Sequence, residues 1–258
     1  MNHRSLLTTC VVSIVVLSAC GGGGGEVGSS SSISAMPSMD PMPMPMTPMP
    51  MPMNMQAAPG EEALVGYLRT PHQQMLSAES SGRSYSLDVN SAPSSGTTKF
   101  NGSAPAYSTA NNLTVTQSQA AAPLASRVTT AYYLMNPYVP LGSASSSGSP
   151  YAVVTNYLPF PTVLRVGTSG MVDNLTYYHD STMSTMDANE TVEYAIRAND
   201  SATLFLCLSD TVSNVTAHGT ADGLANGAET DCYTVDAKGH AALSSITLTV
   251  NGTTLRFM

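Results

Sequence analysis

Six methionines near the amino terminus carry the most distinctive donor atoms in the chain. They alternate with prolines and one threonine: Met42, Met44, Met46, Met49, Met51 and Met53. Thioether sulfur is a soft ligand that favours Cu(I), so such a tract can collect copper or silver. Alternating proline favours polyproline II, however, and its three residues per turn do not place alternate side chains on one side. We therefore interpret the tract first as a spacer and second as a Cu(I)-binding segment.

A second group of soft donors lies near residue 180. His179, Met183 and Met186 offer one imidazole and two thioethers within a short segment, which suits a small soft-metal site. The alternative is a polar hairpin loop with methionines at its base. The remaining histidines of the carboxyl-terminal part lack zinc-binding spacing, and we expect them at surfaces or strand ends: His72, His218 and His240.

Catalytic signatures are absent from the sequence. There is no Gly-x-Ser-x-Gly elbow and no glycine-rich phosphate loop. Glu190 and Glu193 are close in sequence, but strand alternation places them on opposite faces, so they are not an evident acid–base pair. We therefore predict a non-enzymatic protein. A hydrolase acting on envelope polymers is an alternative, and it would require a concave site with a shifted-pKa carboxylate or an activated serine.

Composition limits the class of partner. Charged residues make up 10% of the chain, the formal net charge is −8, and the nine cationic residues are scattered singly. Without a basic stripe to neutralise phosphates, we expect no nucleic-acid partner. Tyrosines cluster between residues 132 and 178, where they either line a groove for a ligand or pack as strand residues.

Cysteines and the first residues indicate the cellular compartment. Residues 1–19 have the pattern of a signal peptide, with an apolar run from Leu6 to Leu17 that at about 18 Å is too short to cross a membrane. Leu17-Ser18-Ala19-Cys20 resembles the lipobox of bacterial lipoproteins. The resemblance implies that Cys20 is lipidated, as palmitate labelling would detect, and that the chain is anchored to a membrane of the cell envelope.

Two further expectations concern the envelope. In the Gram-negative lipoproteins that this terminus resembles, Asp after the lipidated cysteine favours inner-membrane retention, so Gly21 implies the outer membrane. The folded domain would then lie in the periplasm or at the cell surface. Cys10 leaves with the signal peptide, and in an oxidising compartment the two remaining cysteines, Cys207 and Cys232, are expected to form a disulfide.

The elements that must position these residues are mostly strands. After a disordered Gly/Ser and then Met/Pro tether over residues 20–60, short alternating runs bounded by Gly, Asn and Pro predict a β-rich domain over residues 61–258. Among the local predictions are strands over residues 97–100, 202–209 and 212–218 and a loop over residues 143–149. Asn251-Gly252 between two β-favouring runs predicts a two-residue hairpin. We expect a mainly β fold: an antiparallel meander, sandwich or half-barrel, with a subdomain seam near residues 159–161.

The carboxyl-terminal half resembles, diffusely, uncharacterised proteobacterial lipoproteins. Gly167-x-x-Gly170 and the run from Tyr177 to Thr182 carry this resemblance, which implies no activity. The sequence as a whole predicts an outer-membrane lipoprotein with a binding or structural role toward an envelope protein, a polymer or a small ligand. The Cu(I)-binding tether and the hydrolase are the alternatives, and no other cofactor is expected.

Overall fold

The computed structural model describes residues 55–102, 105–250 and 252–258. The chain is mainly β, with fourteen strands and two short helices among these residues. In order they are β1 Ala57–Pro59, α1 Glu61–Leu68, β2 His72–Ser80, β3 Arg83–Pro93, β4 Tyr107–Gln117, β5 Ala125–Leu134, β6 Val139–Ser145, β7 Tyr151–Tyr157, β8 Val163–Arg165, β9 Ser169–Tyr178, β10 Met186–Ala198, β11 Thr203–Ser213, α2 Ala217–Ala221, β12 Gly227–Asp236, β13 Ala241–Val250 and β14 Thr253–Phe257.

Twelve of these strands form one antiparallel meander. Their spatial order follows the chain from β2 to β14, except that β8 leaves the sheet to pair with β1. The last strand then meets the first, because Ser77 and Met258 exchange two backbone hydrogen bonds of 3.0 Å. The sheet therefore curls into a nearly closed barrel, which removes most of its exposed edge.

Side-chain alternation along each strand builds the barrel interior. On β3, Tyr85, Leu87 and Val89 are buried, while the residues between them are more accessible to solvent. On β11, Leu204 and Leu206 point to the same inner face. Because successive side chains of a strand alternate between faces, every second side chain points into the barrel.

Helix α1 closes one end of the barrel. Ala63 and Leu64 pack with Ile196, Leu204 and Val235, which lie near the strand ends at that side. The carboxyl terminus of the helix is hydrogen-bonded to the barrel wall, because the Leu68 carbonyl accepts a hydrogen bond of 2.8 Å from the Thr109 hydroxyl. This contact provides one of the carbonyl partners that a helix end otherwise lacks.

The opposite end of the barrel is covered by α2 and the segment that follows it. Leu224 is fully buried there against Tyr177, Ala188, Val212 and Val250. Within the described part of the chain, neither helix is long and apolar enough to cross a membrane. The two helices thus enclose the space between the strands from its two ends.

A disulfide joins Cys207 on β11 to Cys232 on β12, the two cysteines expected to pair. The residues are direct neighbours in the register of these strands, with Cα atoms 4.0 Å apart. They occupy the face of the sheet opposite to Leu206 and Leu208, so the bridge clamps β11 to β12 from outside.

Three local expectations differ from the structure. Residues 143–149 were expected to be a loop, but β6 runs through Ser145 because its backbone pairs with β5 and β7 on both sides. Residues 97–100 form only an isolated bridge between Thr98 and Ala106. Residues 212–218 are not a separate strand, since β11 continues to Ser213 and ends where Asn214 takes a φ of 55°.

The seam expected near residues 159–161 lies in the connection that contains β8. The strands on either side of this connection, β7 and β9, pair with each other in the same sheet. Phe160 itself is buried against α1 and β8. The hairpin expected at Asn251-Gly252 joins β13 and β14, whose register pairs Val250 with Thr253, and Asn251 itself lies outside the described residues.

Candidate functional site

The barrel encloses a cavity of about 290 Å³ beneath α1. Its walls come from the helix and from the inner faces of strands around most of the barrel. Six tyrosines line it: Tyr67, Tyr132, Tyr133, Tyr138, Tyr177 and Tyr233. Its charged lining consists of one arginine and five carboxylic acids: Arg127, Asp173, Glu190, Asp210, Glu229 and Asp231. We call these five acids the carboxylate group.

Four neighbouring strands bring the carboxylate group together. Asp210 on β11 lies directly opposite Glu229 on β12 in the strand register. Asp231 follows Glu229 by two residues and therefore shares its face. Glu190 on β10 and Asp173 on β9 extend the group across the next two strands, and Asp173 lies opposite Val192. Alternation alone directs these side chains inward, because they occupy the same face as the apolar core positions of their strands.

The carboxylate group has few partners inside the barrel. Glu229 and Asp173 are 3% and 5% exposed, and each has one carboxylate oxygen that makes no hydrogen bond. One oxygen of Asp231 and one terminal nitrogen of Arg127 also make no hydrogen bond. Glu190 is better satisfied, since the Tyr177 hydroxyl donates a short hydrogen bond to it. A buried polar atom without a partner is costly, so a bound ligand that pairs with these atoms would be stabilised.

Burial controls the acidity of the carboxylate group. It raises the pKa of Asp173 to about 7, and neighbouring Glu190 adds to the increase. Burial also raises the pKa of Glu190 to about 7 and that of Asp231 to about 6, despite hydrogen bonds that act in the opposite direction. The pKa values of Asp210 and Glu229 lie well above the usual range because of burial and nearby carboxylates. Near neutral pH some of these five acids are therefore protonated.

The pKa values of Arg127 and Tyr67, which also line the cavity, are shifted away from the charged forms of these side chains. Burial lowers the pKa of Arg127 to about 10, although Tyr177 and Glu190 partly offset the decrease. Burial and Asp231 raise the pKa of Tyr67 to about 12, so its hydroxyl stays protonated. Tyr67 also packs edge-on against Tyr233, with ring centroids 4.7 Å apart.

Sequence reasoning missed the carboxylate group, although a signal was present. Leu204, Leu206 and Leu208 mark one face of β11, and Asp210 and Val212 continue the same parity. The predicted strands instead ended at residue 209 and began again at residue 212, which left Asp210 in the connection between them. For β10 the expectation that Glu190 and Glu193 face opposite sides is confirmed, with Glu190 buried and Glu193 exposed.

A second constellation lies at the α2 end of the barrel. We call it the His/Asp cluster: His179, Asp187, His218 and Asp222. His179 follows β9, Asp187 lies at the start of β10, and α2 with its carboxyl-terminal cap supplies His218 and Asp222. One potential ligand atom from each of the four residues lies within 4.8 Å of the others.

The loops hold α2 close to β10. The Thr216 backbone amide donates to the Asp187 carbonyl at 2.8 Å, and the Thr216 side chain caps the helix by accepting from the Gly219 amide. Gly219 itself allows this approach, because a Cβ at this position would lie 2.5 Å from the Asp187 carbonyl oxygen. The helix can therefore bring His218 to Asp187 only with a glycine at this position.

The four side chains of the His/Asp cluster contact one another directly. His179 Nδ1 is 2.6 Å from Asp222 Oδ2, and His218 Nδ1 is 2.8 Å from Asp187 Oδ1 and 3.5 Å from Asp222 Oδ2. The two imidazole rings meet edge to face at 4.6 Å. The hydrogen bond to Asp222 raises the pKa of His179, and burial raises the pKa of Asp187.

The structure describes some of the site residues expected from the sequence and not others. Cys20 and the six methionines from Met42 to Met53 lie outside the described residues. Met183 and Met186 lie in or beside the β9–β10 loop with exposures of 37% and 47%, whereas His179 contacts Asp222 and His218. His218, expected to be isolated, is part of the same cluster. Of the clustered tyrosines, Tyr157 is exposed and Tyr151 stacks on Phe100.

No protein-family model matches the sequence, and neither a curated protein nor a solved structure matches it significantly. The function must therefore be argued from the two sites themselves.

Proposed function

We propose that the chain is an envelope lipoprotein whose barrel is a non-enzymatic binding module for a small organic cation. The carboxylate group carries this proposal, in particular the unpartnered oxygens of Glu229 and Asp173. A positively charged group would supply the missing partners and would favour the ionised carboxylates. Arg127 alone supplies one positive charge against five acids in the cavity lining.

The tyrosine walls favour an amine or ammonium compound over a bare metal ion in this cavity. Aromatic faces attract cations through the ring quadrupole, and the combination of aromatic rings with carboxylates suits quaternary or primary ammonium groups. Tyr67, Tyr138 and Tyr233 line the same cavity as the carboxylate group. The ligand class is thus a compact, cationic and partly apolar molecule.

Cavity size supports a small ligand over a polymer. A volume of about 290 Å³ lies at the small end of ligand pockets, which span roughly 300–1,000 Å³. Helix α1 covers the cavity with Leu64, Tyr67 and Leu68, whereas a hydrolase of envelope polymers needs an open cleft for a strand. The shifted-pKa carboxylates satisfy one requirement of the hydrolase alternative, but the enclosure favours binding.

Binding of a cation can be tested with choline and its neutral isostere 3,3-dimethylbutan-1-ol, which replaces the nitrogen by carbon. We expect calorimetry of residues 21–258 at pH 8 to show choline binding at least about tenfold tighter than binding of the isostere. Because ligation favours ionised carboxylates, choline should release protons, which titration in two buffers of different ionisation enthalpy measures.

Matched variants localise the binding. Glu229→Gln keeps the shape of the side chain and removes a cavity carboxylate, so it should weaken choline binding about tenfold or more. Glu193→Gln changes an exposed acid on the outer face of β10 and should leave binding unchanged. Equal binding of choline and its isostere, or no binding by choline, putrescine and guanidine alike, would refute the cation proposal.

Lipid anchoring is tested separately. Radiolabelled palmitate should label the full-length chain in cells and should not label a Cys20→Ala variant. Equal labelling of both, or of neither, would refute the lipoprotein assignment without affecting the cavity experiment.

A further inference from the structure

We propose that the His/Asp cluster binds a divalent transition-metal ion of the zinc type through His179, Asp187, His218 and Asp222. The cluster lies at the α2 end of the barrel, opposite to the helix that covers the interior cavity. It is therefore a second site, separate from the cavity.

The donor set matches zinc chemistry. Imidazole nitrogens and carboxylate oxygens are common Zn²⁺ ligands, and four protein ligands are typical of a closed structural site. The same set is a poor match for Cu(I), which prefers thiolates and thioethers. This donor set differs from the soft site expected at His179, Met183 and Met186, because the partners of His179 come from α2.

The distances are close to those of a metal centre. Ligand atoms around a tetrahedral ion with bonds of about 2.0 Å are about 3.3 Å apart. The three imidazole-to-carboxylate distances are 2.6, 2.8 and 3.5 Å, and no pair in the set exceeds 4.8 Å. Side-chain movements of about 1 Å would bring all four atoms to the distances that the ion requires.

The burial pattern independently favours a cation at this site. The Asp187 side chain is fully buried, its Oδ1 contacts His218, and its Oδ2 has no hydrogen-bond partner. A second carboxylate, Asp222, converges on the same imidazole at 13% exposure. Two convergent and largely buried carboxylates are unfavourable unless a cation lies between them.

The site is also accessible from solvent. The side chains of His179 and His218 are 44% and 45% exposed, so an ion can reach the cluster on the side of the rings. Once bound, it would strengthen the link between the β9–β10 connection and α2, which His179 already contacts through Asp222 and His218. The ion would thus fix the cover of this end of the barrel.

Metal analysis of residues 21–258, purified without a histidine tag and treated with chelator, provides the test. We expect calorimetry to show one high-affinity Zn²⁺ per chain and Co²⁺ to give the intense visible absorption of tetrahedral coordination. Zn²⁺ should also raise the melting temperature by about 5 °C or more when it is well above its dissociation constant.

Three variants distinguish the cluster from other donors, including the methionine tract. His218→Gln and Asp187→Asn should each lose the high-affinity site, with Kd increased at least about 100-fold. His240→Ala removes an exposed histidine that pairs with Asp236 alone, at 2.9 Å, and should bind Zn²⁺ like the parent chain.

Either of two results would overturn the proposal. One is that the parent chain does not bind Zn²⁺ and Co²⁺ tightly, and the other is that His218→Gln and Asp187→Asn bind them as tightly as the parent chain. If one variant fails to fold, the parent chain and the other variant still decide, because intense Co²⁺ absorption shows a tetrahedral site and its loss in a folded variant locates that site at the cluster. A spectrum showing sulfur-to-metal charge transfer would reject the cluster.

Discussion

Glu229 shows how a single residue can combine a stability cost with a binding role. It is buried inside the barrel, opposite Asp210 and beside Asp231, and one of its oxygens has no partner. Its pKa is raised well above the usual range by burial and by these acids. Keeping it ionised in the empty cavity is therefore unfavourable, whereas a bound cation would make the same charge favourable.

The ligand-free protein should be more stable with glutamine at this position when the pH is alkaline. We expect Glu229→Gln to raise the melting temperature at pH 8 by at least about 2 °C, because folding of the parent chain must then either protonate Glu229 or bury its charge, and glutamine requires neither. At pH 5 the difference should shrink, since this cost grows with pH above the unfolded pKa of about 4.3. Thermal unfolding followed by circular dichroism measures both values.

Glu193→Gln is the control, because it changes an exposed glutamate on the same sheet. It should alter the melting temperature little at either pH. A Glu229→Gln variant that is destabilised equally at pH 5 and pH 8 would contradict this prediction. It would show that the glutamate stabilises the fold by packing and that its charge does not lower stability.

The elements at the α2 end depend on one close approach of backbone to backbone. Gly219 lets α2 lie against the Asp187 carbonyl, and Thr216 fixes both the helix start and its contact with β10. The helix has only five residues and would be marginal alone, so these tertiary contacts hold it in place.

Two glycine-to-alanine variants should therefore change stability in opposite directions. Gly219→Ala adds a Cβ 2.5 Å from a backbone oxygen, so we expect a loss of about 1–3 kcal/mol in the free energy of unfolding. Gly66→Ala on α1 meets no atom within 4 Å and should stabilise the chain by about 0.5–1 kcal/mol. Urea unfolding of both variants gives the two values.

The second variant controls for the general effect of alanine in a helix. Stabilisation by Gly219→Ala would show that α2 can move away from β10 without cost. Under the metal proposal, the same variant should also weaken Zn²⁺ binding, since His218 and Asp222 move with the helix.

The described part of the chain, taken as a whole, is a nearly closed barrel with a group of acids in its interior. The strands β9 to β12 contribute all five carboxylates, and the disulfide between Cys207 and Cys232 clamps two of these strands on the outer face. Closure by the Ser77–Met258 pair gives these charges an enclosed space instead of a solvated sheet surface. Their shared environment makes the stability of the entire domain depend on pH.

Stability should decrease as the pH rises from 5 to 8. A carboxyl group whose folded pKa is raised stabilises the folded state fully below its unfolded pKa, and this contribution is lost as the pH rises through the folded value. That value is about 7 for Asp173 and Glu190 and about 6 for Asp231. With chelator present and no amine, we expect the melting temperature to fall by at least about 4 °C over this interval.

Surface carboxylates determine how the melting temperature changes at low pH. Hydrogen bonds from Ala202 and Thr203 lower the pKa of Asp200, so its contribution is lost as the pH falls below about 4. A melting temperature that stays constant between pH 5 and pH 8 would contradict the acidic interior. Choline at pH 8 should restore part of the lost stability if the cavity binds cations.

How much of this arrangement the sequence predicts depends on how local each feature is. Alternation along single strands predicted the mainly β fold, the β13–β14 hairpin and the opposite faces of Glu190 and Glu193. The strand β6 was missed because Pro140 and Gly142 disfavour a strand locally, while pairing on both sides imposes one.

The two sites depended on contacts between distant parts of the chain. The sequence determined which residue types were present and which face of its own strand each occupied. Only the tertiary structure decided that four strands place their acids in one enclosed cavity, and that His179 meets Asp222 across 43 residues and His218 meets Asp187 across 31. The reason is that strand periodicity is encoded within a few residues, whereas barrel closure and the docking of α2 set the neighbours of each side chain.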